Sequence, residues 1–263
     1  MGFNQIGIIG AGVMGEALII SLTRSGIEPN SIVVVEKRAE RRAEISSKYS
    51  VISGSIKDCE AVFLLVKPQD LGSTLEEFRT EISQSALVVS FVAGKSTAFI
   101  ESHLSPNQRV IRVMPNTPMT VGKGFAAASV GKYANEFDIQ WLQSVLSPSC
   151  RLITIAEDEQ DAITALSGSG PAYFFAMVEA MAEAGKRLGL SEEDSLSAAK
   201  EVLVGAAAMI EKSGKDPKTL RENVTSPNGT TFAALSAFQK ADFQEIVFKA
   251  MKAARDRSIE LSQ

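Results

Sequence analysis

The chain has 263 residues, 45% hydrophobic and 22% charged, with a formal net charge of −4. That composition fits one large or two ordinary globular domains, and an acidic balance excludes nucleic acid and anionic membrane as electrostatic partners. Cys59 and Cys150 sit in no metal-spaced cluster, the N-terminus enters an apolar run without a charged leader, and no run is long enough to span a bilayer; a reduced, cytoplasmic protein without structural metal, signal peptide or membrane helix is expected.

The first elements carry the strongest signal. Gln5 to Ile9 reads as a strand, and Gly10-Ala11-Gly12-Val13-Met14-Gly15 follows before a helix from Glu16 to Thr23. In this setting G-x-G-x-x-G is a dinucleotide-binding turn: Gly10 permits the tight turn, Gly12 lets backbone approach a pyrophosphate, and Gly15 lets helix and strand pack closely. The helix N-terminus then offers N–H groups and partial positive charge to phosphate. A second strand, Ser31 to Glu36, ends in an acid about twenty residues on, where ribose 2′-hydroxyls are normally accepted. Lys37 and Arg38, with Arg41 and Arg42 one turn later, offer cations to a 2′-phosphate instead.

Strands are then predicted at Ala61 to Val66, Leu87 to Phe91, Arg109 to Met114 and Phe125 to Ser129, with a weaker one at Arg151 to Ile155. Helices are predicted at Arg38 to Tyr49, Asp70 to Ile82, Thr97 to Leu104 and Glu136 to Leu146. Short β-branched runs alternating with helices predict a doubly wound α/β domain over residues 1–156. In such sheets ligands bind at strand carboxyl ends. Val66-Lys67-Pro68 is one such edge, where Lys67 is either a cofactor neighbour or a solvated lysine. Ala93-Gly94 is a second, and Met114-Pro115-Asn116-Thr117-Pro118 a third, stiffened by two prolines as a nicotinamide wall or a plain turn.

Beyond Asp158 nothing reads as a strand. Helices are predicted over Pro171 to Leu188, from the Ser191 cap to about Lys212, after Asp216-Pro217, and over Thr230 to Gln239 and Phe243 to Leu261. Residues 157–263 therefore read as an all-helical domain. Its small residues, Ala180 to Gly185 and Gly205 to Ala208, suit close helix packing, inside a compact bundle or across an interwoven dimer.

The single histidine, His103, near the end of a surface-type helix, reads as structural or exposed. Its isolation disfavours Ser-His-Asp, Cys-His and His-rich zinc chemistry, whereas hydride transfer to an activated electrophile needs orientation more than proton shuttling. Leu166-Ser167-Gly168-Ser169-Gly170-Pro171-Ala172-Tyr173 marks a break or close approach at the start of the helical domain. Thr225-Ser226-Pro227-Asn228-Gly229-Thr230-Thr231 combines a turn, two hydroxyls and a helix start, offering the N–H groups of Asn228, Gly229, Thr230 and Thr231 to an anion; simple capping is the alternative.

G-A-G-V-M-G after a strand, V-K-P, I-R-V-M-P-N-T-P, L-S-G-S-G-P-A-Y-F and V-T-S-P-N-G-T-T-F, in this order, resemble the Δ1-pyrroline-5-carboxylate reductase family over nearly the whole chain. The resemblance implies reduction of pyrroline-5-carboxylate to L-proline with NADPH or NADH, and a helical C-terminal domain that dimerises, often within a larger ring. It implies that Ile9, Gly10, Ala11, Gly12, Val13 and Met14 line the pyrophosphate, and that Leu65, Val66, Lys67 and Pro68 meet the cofactor near its ribose. The loop of Ser226, Asn228, Gly229, Thr230 and Thr231 would hold the substrate carboxylate, with Thr231 reaching the ring nitrogen. The family's usual Ser-Pro-Gly-Gly becomes Ser226-Pro227-Asn228-Gly229 here; a φ > 0 at that position suits Asn best among non-glycine residues. Two other readings stand beside this one: a β-hydroxyacid dehydrogenase using Lys186 or Lys200, and a non-catalytic nucleotide-binding paralogue with a regulatory role.

Overall fold

The computed structural model describes residues 3–262; Met1, Gly2 and Gln263, at the ends of the two expected domains, lie outside the described residues. In chain order the elements are β1 (Ile6–Ile9), α1 (Val13–Arg24), β2 (Ile32–Val35), α2 (Ala39–Tyr49), β3 (Ile52–Ser53), β4 (Ala61–Leu64), α3 (Leu71–Phe78), β5 (Leu87–Ser90), α4 (Thr97–His103), β6 (Arg109–Met114), β7 (Gly124–Val130), α5 (Glu136–Leu146) and β8 (Cys150–Thr154). A helical run then passes from α6 (Gln160–Ile163) through a π turn (Thr164–Gly168) to α7 (Gly170–Arg187), followed by α8 (Glu192–Ser213), α9 (Pro217–Asn223), α10 (Thr230–Lys240) and α11 (Phe243–Ser262). Among the described residues two compact units result: 3–169 together with 254–262, and Gly170–Ala253.

The first unit holds an eight-stranded sheet of order β3-β2-β1-β4-β5-β6-β7-β8. β1 to β6 run parallel, and apart from the exposed two-residue β3 their apolar side chains alternate between two layers. Ile6, Ile8, Phe63 and Val89 pack on the face with α1 and α5; Ile9, Val62, Leu64 and Val88 pack on the face with α3 and α4. Burial on both faces explains why β1, β2, β4 and most of β5 read as apolar runs. β7 departs from the parallel pattern and pairs antiparallel with β6. Only Pro115 to Lys123 lies between them, containing a 3-10 turn at Thr117–Val121, and a parallel crossover takes a dozen residues or more. β8 then pairs parallel with β7.

The last residues of α11 complete this unit. Leu261 packs so closely over Gly94 that a Cβ there would lie 3.3 Å from its own Cβ, and the Ser258 hydroxyl donates to Asp161 at 2.6 Å. Asp161 and Glu157 face Arg112, a buried cation of β6, at 4.0 and 3.6 Å. Glu157 also accepts from the Thr97 N–H and hydroxyl at the start of α4, both at 2.7 Å.

The second unit is helical, with α7 packed along α8. Among its described residues only Gly170, Ser195 and Ala199 are buried. Phe174, Phe175, Val202, Val204, Met209, Ile210, Phe232, Phe238 and Phe248 are all exposed. A bundle of this size ordinarily buries such side chains.

Candidate functional site

The first unit leaves its sheet at one edge in three adjacent segments. β1 lies between β2 and β4, with Ile9 level with Val35 on one side and Leu64 on the other. This is the switch point, where the chain reverses its direction of travel across the sheet and a crevice opens. A cleft of about 480 Å³ lies there, lined by Ile9, Gly10, Gly12, Val35, Glu36, Lys37, Arg38, Leu65, Val66, Lys67, Asp70, Ser73, Thr74 and Phe78. That volume is in the range of cofactor and ligand sites.

Nine of the residues singled out from the sequence thus meet in one place: Ile9, Gly10, Gly12, Glu36, Lys37, Arg38, Leu65, Val66 and Lys67. Ala11, Val13, Met14, Gly15 and Pro68 adjoin the cleft in sequence without lining it. Val35, Asp70, Ser73, Thr74 and Phe78 were missed; for Ser73 and Thr74 the signal was their pair of hydroxyls at the start of the helix after Pro68. Gly10 has φ +99°, and a Cβ there would lie 2.7 Å from the Leu65 carbonyl oxygen. A Cβ on Gly15 would collide with the Gly10 carbonyl. In front of Gly12 there is open space, with nothing within 4 Å of a Cβ position. Gly12 caps α1 without a side chain, so the first-turn donors of a 12-residue helix are left for a ligand. These features fit a dinucleotide pyrophosphate.

Charge around the cleft is tightly paired. One Glu36 oxygen accepts from the Ala11 N–H at 3.0 Å, and the other accepts from the Arg38 N–H and Nε, each at 3.0 Å. Burial alone would raise the Glu36 carboxyl, but these bonds from Arg38 and Ala11 outweigh it and hold it below the usual carboxylate range. Arg41 donates from Nε to the Ala11 carbonyl at 2.8 Å and pairs with Glu16 at 2.5 Å and Glu44 at 2.8 Å. Glu16, bonded by Lys48, Arg41 and Tyr49, is lowered to about 2. Arg42 donates to the Glu36 carbonyl at 2.7 Å. Lys37 pairs with Glu77 at 3.1 Å. Of the four cations predicted to face a 2′-phosphate, Lys37 and Arg38 line the cleft, while Arg41 and Arg42 are engaged with the backbone.

The other two strand-end loops lie outside this cleft. Ala93 and Gly94 follow β5, with Gly94 at φ +74° against Leu261. Pro115 follows β6. Its neighbour Asn116 accepts from the Phe125 N–H at 2.9 Å and donates from Nδ2 to Ser167 at 3.2 Å, tying the rigid loop to the π turn. The expected break at Leu166 to Tyr173 is met in part: Leu166, Ser167 and Gly168 lie in the π turn, Gly170 to Tyr173 already in α7, and a Cβ on Gly168 would collide with the Met114 methyl. His103 bonds the Phe99 carbonyl through Nδ1 at 2.8 Å. Burial pushes both thiols, Cys59 and Cys150, up to about 11, which makes poor nucleophiles of them.

In the second unit, residues 225–231 form the turn that opens α10. The Gly229 N–H closes the turn on the Ser226 carbonyl at 3.1 Å, which removes one of the four donors expected there. Asn228 has φ +58°, the left-handed conformation foreseen for it. Gly229 caps α10 without a side chain, leaving the first-turn donors beside the hydroxyls of Thr230 and Thr231. Thr231 is half-buried and Ser226, Asn228 and Thr230 are exposed.

Comparison with known proteins covers the whole chain. The family model "Pyrroline-5-carboxylate reductase dimerisation" matches residues 157–261. A second, "NADP oxidoreductase coenzyme F420-dependent", matches residues 5–94. The chain is 38% identical to pyrroline-5-carboxylate reductase 1 of Bacillus spizizenii over 98% of its own length and 90% of that protein's. It is 37% identical to the Arabidopsis thaliana pyrroline-5-carboxylate reductase over 98% and 96%. Among solved structures, a Coxiella burnetii pyrroline-5-carboxylate reductase superposes with TM-score 0.92 at 31% identity, covering 99% of both chains. A Plasmodium falciparum pyrroline carboxylate reductase, solved with NADP bound, superposes with TM-score 0.85 at 27% identity, covering 98% of both.

Proposed function

Because the chain belongs to the pyrroline-5-carboxylate reductase family, we propose that it reduces L-1-pyrroline-5-carboxylate to L-proline, the last step of proline biosynthesis, with NADPH as donor and NADH as a poorer or comparable one. The observation that carries this reading is identity of 37–38% with bacterial and plant reductases over 98% of the chain. The division of labour we propose gives residues 1–156 to the cofactor and 157–263 to substrate and self-association.

The cleft lined by Gly10, Gly12, Glu36, Leu65 and Lys67 would hold the nucleotide, whose chemistry there would be hydride donation to the carbon of the substrate's C=N bond. The chain's own residues bind and orient. The glycine turn, Ile9 to Gly15, presents backbone donors to the pyrophosphate, and Leu65 to Pro68 lie by the ribose. Lys37 and Arg38 offer cations beside Glu36 to the 2′-phosphate. Ala93, Gly94 and Pro115 wall the nicotinamide end. In the second unit, the turn from Ser226 to Thr231 receives the substrate carboxylate, and the Thr231 hydroxyl bonds the ring nitrogen. A protonated cyclic imine is already electrophilic, so the lack of a histidine near either segment costs the reaction nothing.

Self-association as a homodimer follows from the exposed apolar side chains of α7, α8, α10 and α11, which a second copy would cover. Free, buried Cys59 and Cys150 support a reducing, cytoplasmic setting. Among the described residues no helix is long and apolar enough to cross a membrane. The dehydrogenase alternative is weakened at Lys186, which is paired with Glu183 at 3.5 Å. The test is NADPH oxidation followed on addition of pyrroline-5-carboxylate. Substrate-dependent oxidation with L-proline as product supports the reading; oxidation of 3-hydroxy acids without it would overturn it.

A further inference from the structure

Ala11 sits between Gly10 and Gly12 and is fully buried. Buried backbone N–H and C=O groups need partners, and here two side chains supply them, one for each. Its N–H donates to Glu36 at 3.0 Å, and its carbonyl accepts from Arg41 Nε at 2.8 Å. Both side chains come from the segment after β2. Each is itself held: Glu36 by Arg38, and Arg41 by Glu16 and Glu44.

We propose that Glu36 and Arg41 brace the Ala11 peptide and thereby fix the turn that receives the cofactor's pyrophosphate. This rests on the cofactor reading above and assigns both residues a role inside the protein. A trans peptide is planar, with its C=O and N–H pointing opposite ways. Anchoring the Ala11 carbonyl on Arg41 therefore directs the Gly12 N–H away from Arg41, and Gly12 is the residue with open space before it in the cleft. Both Glu36 oxygens are occupied by protein donors. Arg41 is 17% exposed and absent from the cleft lining. These two are positioning residues, acting on the cofactor through the backbone.

The pyrophosphate is common to NADH and NADPH, so a brace serves both alike, whereas a cation contacting the 2′-phosphate serves NADPH alone. Arg41→Met is the decisive variant, with Arg41→Lys as a second that returns a cation on one nitrogen, unable to span all three of arginine's partners. Dissociation constants for NADH and NADPH are measured by nucleotide fluorescence on the full-length protein without substrate, beside kcat and the KM for pyrroline-5-carboxylate at saturating NADPH. In Arg41→Met both dissociation constants are expected to rise about tenfold, by the same factor. In Arg41→Lys both rise less, and kcat and substrate KM stay within about twofold in either variant. Loss confined to NADPH, unchanged binding of both nucleotides, or a fall in kcat at unchanged nucleotide affinity overturns the brace. Wild-type protein that binds neither nucleotide overturns the cofactor reading and the brace together. Wild-type protein that binds both yet leaves pyrroline-5-carboxylate unreduced overturns the reductase reading alone.

Discussion

Asn228 offers a sharp test of the substrate loop. Its φ of +58° places it in the left-handed region, where an ordinary L-residue is disfavoured by about 1–2 kcal/mol and glycine by nothing. The residue stands immediately before Gly229, the cap of α10, so its conformation sets the direction of the donors that follow. Asn228→Gly is expected to keep the loop's shape and the substrate KM within about threefold. Asn228→Ala should carry about 1 kcal/mol, and Asn228→Val, a β-branched outlier at positive φ, at least about 2 kcal/mol. A strained loop that holds its shape shows this as lost stability. A loop that relaxes shows it as weaker carboxylate binding, and 1–2 kcal/mol then corresponds to about a 5- to 30-fold rise in KM for pyrroline-5-carboxylate. Thermal unfolding and steady-state kinetics on the three variants together capture both routes. Asn228→Val with wild-type unfolding temperature and wild-type KM would refute the reasoning.

On the proposed role of Thr231, Thr231→Ala removes a hydrogen bond to a charged ring nitrogen, worth roughly 1.5–3 kcal/mol, and should lower kcat/KM about 10- to 100-fold with NADPH affinity unchanged; full activity in this variant shows the hydroxyl is misassigned. Sedimentation at micromolar concentration should give at least a dimer, and a stable, active monomer contradicts the reading of the exposed apolar faces. Glu16, at about 2, lies below its ordinary 4.5, so its ion pairs stabilise the fold fully above pH 4.5 and fade as pH falls through 2. Glu16→Gln should therefore cost about 1–2 kcal/mol at neutral pH after solvent screening, and progressively less below pH 4 in denaturant titrations; a pH-independent difference speaks against the network.

What could be read from the sequence was what local pattern determines. β1, β2, β4 and β5 are apolar runs that announce themselves, and β6 is legible from Val110, Ile111, Val113 and Met114 despite its two arginines. The glycine turn is visible because Gly10 and Gly15 answer to contacts within one βαβ unit. β3 is two exposed residues, Ile52 and Ser53, paired only with β2, and no periodicity can mark it. The direction of β7 was available from the short connection at Pro115 to Lys123, but only by weighing its length against a crossover. Motif position told nothing of where the Glu36 carboxylate points. Its partners are the Ala11 peptide and the Arg38 side chain, and only the folded turn brings all three together. The π turn at Thr164–Gly168 was signalled as a break by the glycines at 168 and 170, yet the residues that touch it, Asn116 and Met114, come from the end of β6 and the loop after it, far away in sequence.

The second unit is an insertion into the first, since residues 254–262 return to it along α11. On the ribosome those residues emerge only after the whole of the second unit has been made. At roughly 5–20 residues per second, the sheet waits several seconds for Ser258 to reach Asp161 and Leu261 to cover Gly94. A frameshift or nonsense lesion just before Ala254 would thus injure the unit that holds the eight-stranded sheet, although it falls close to the other end of the sequence.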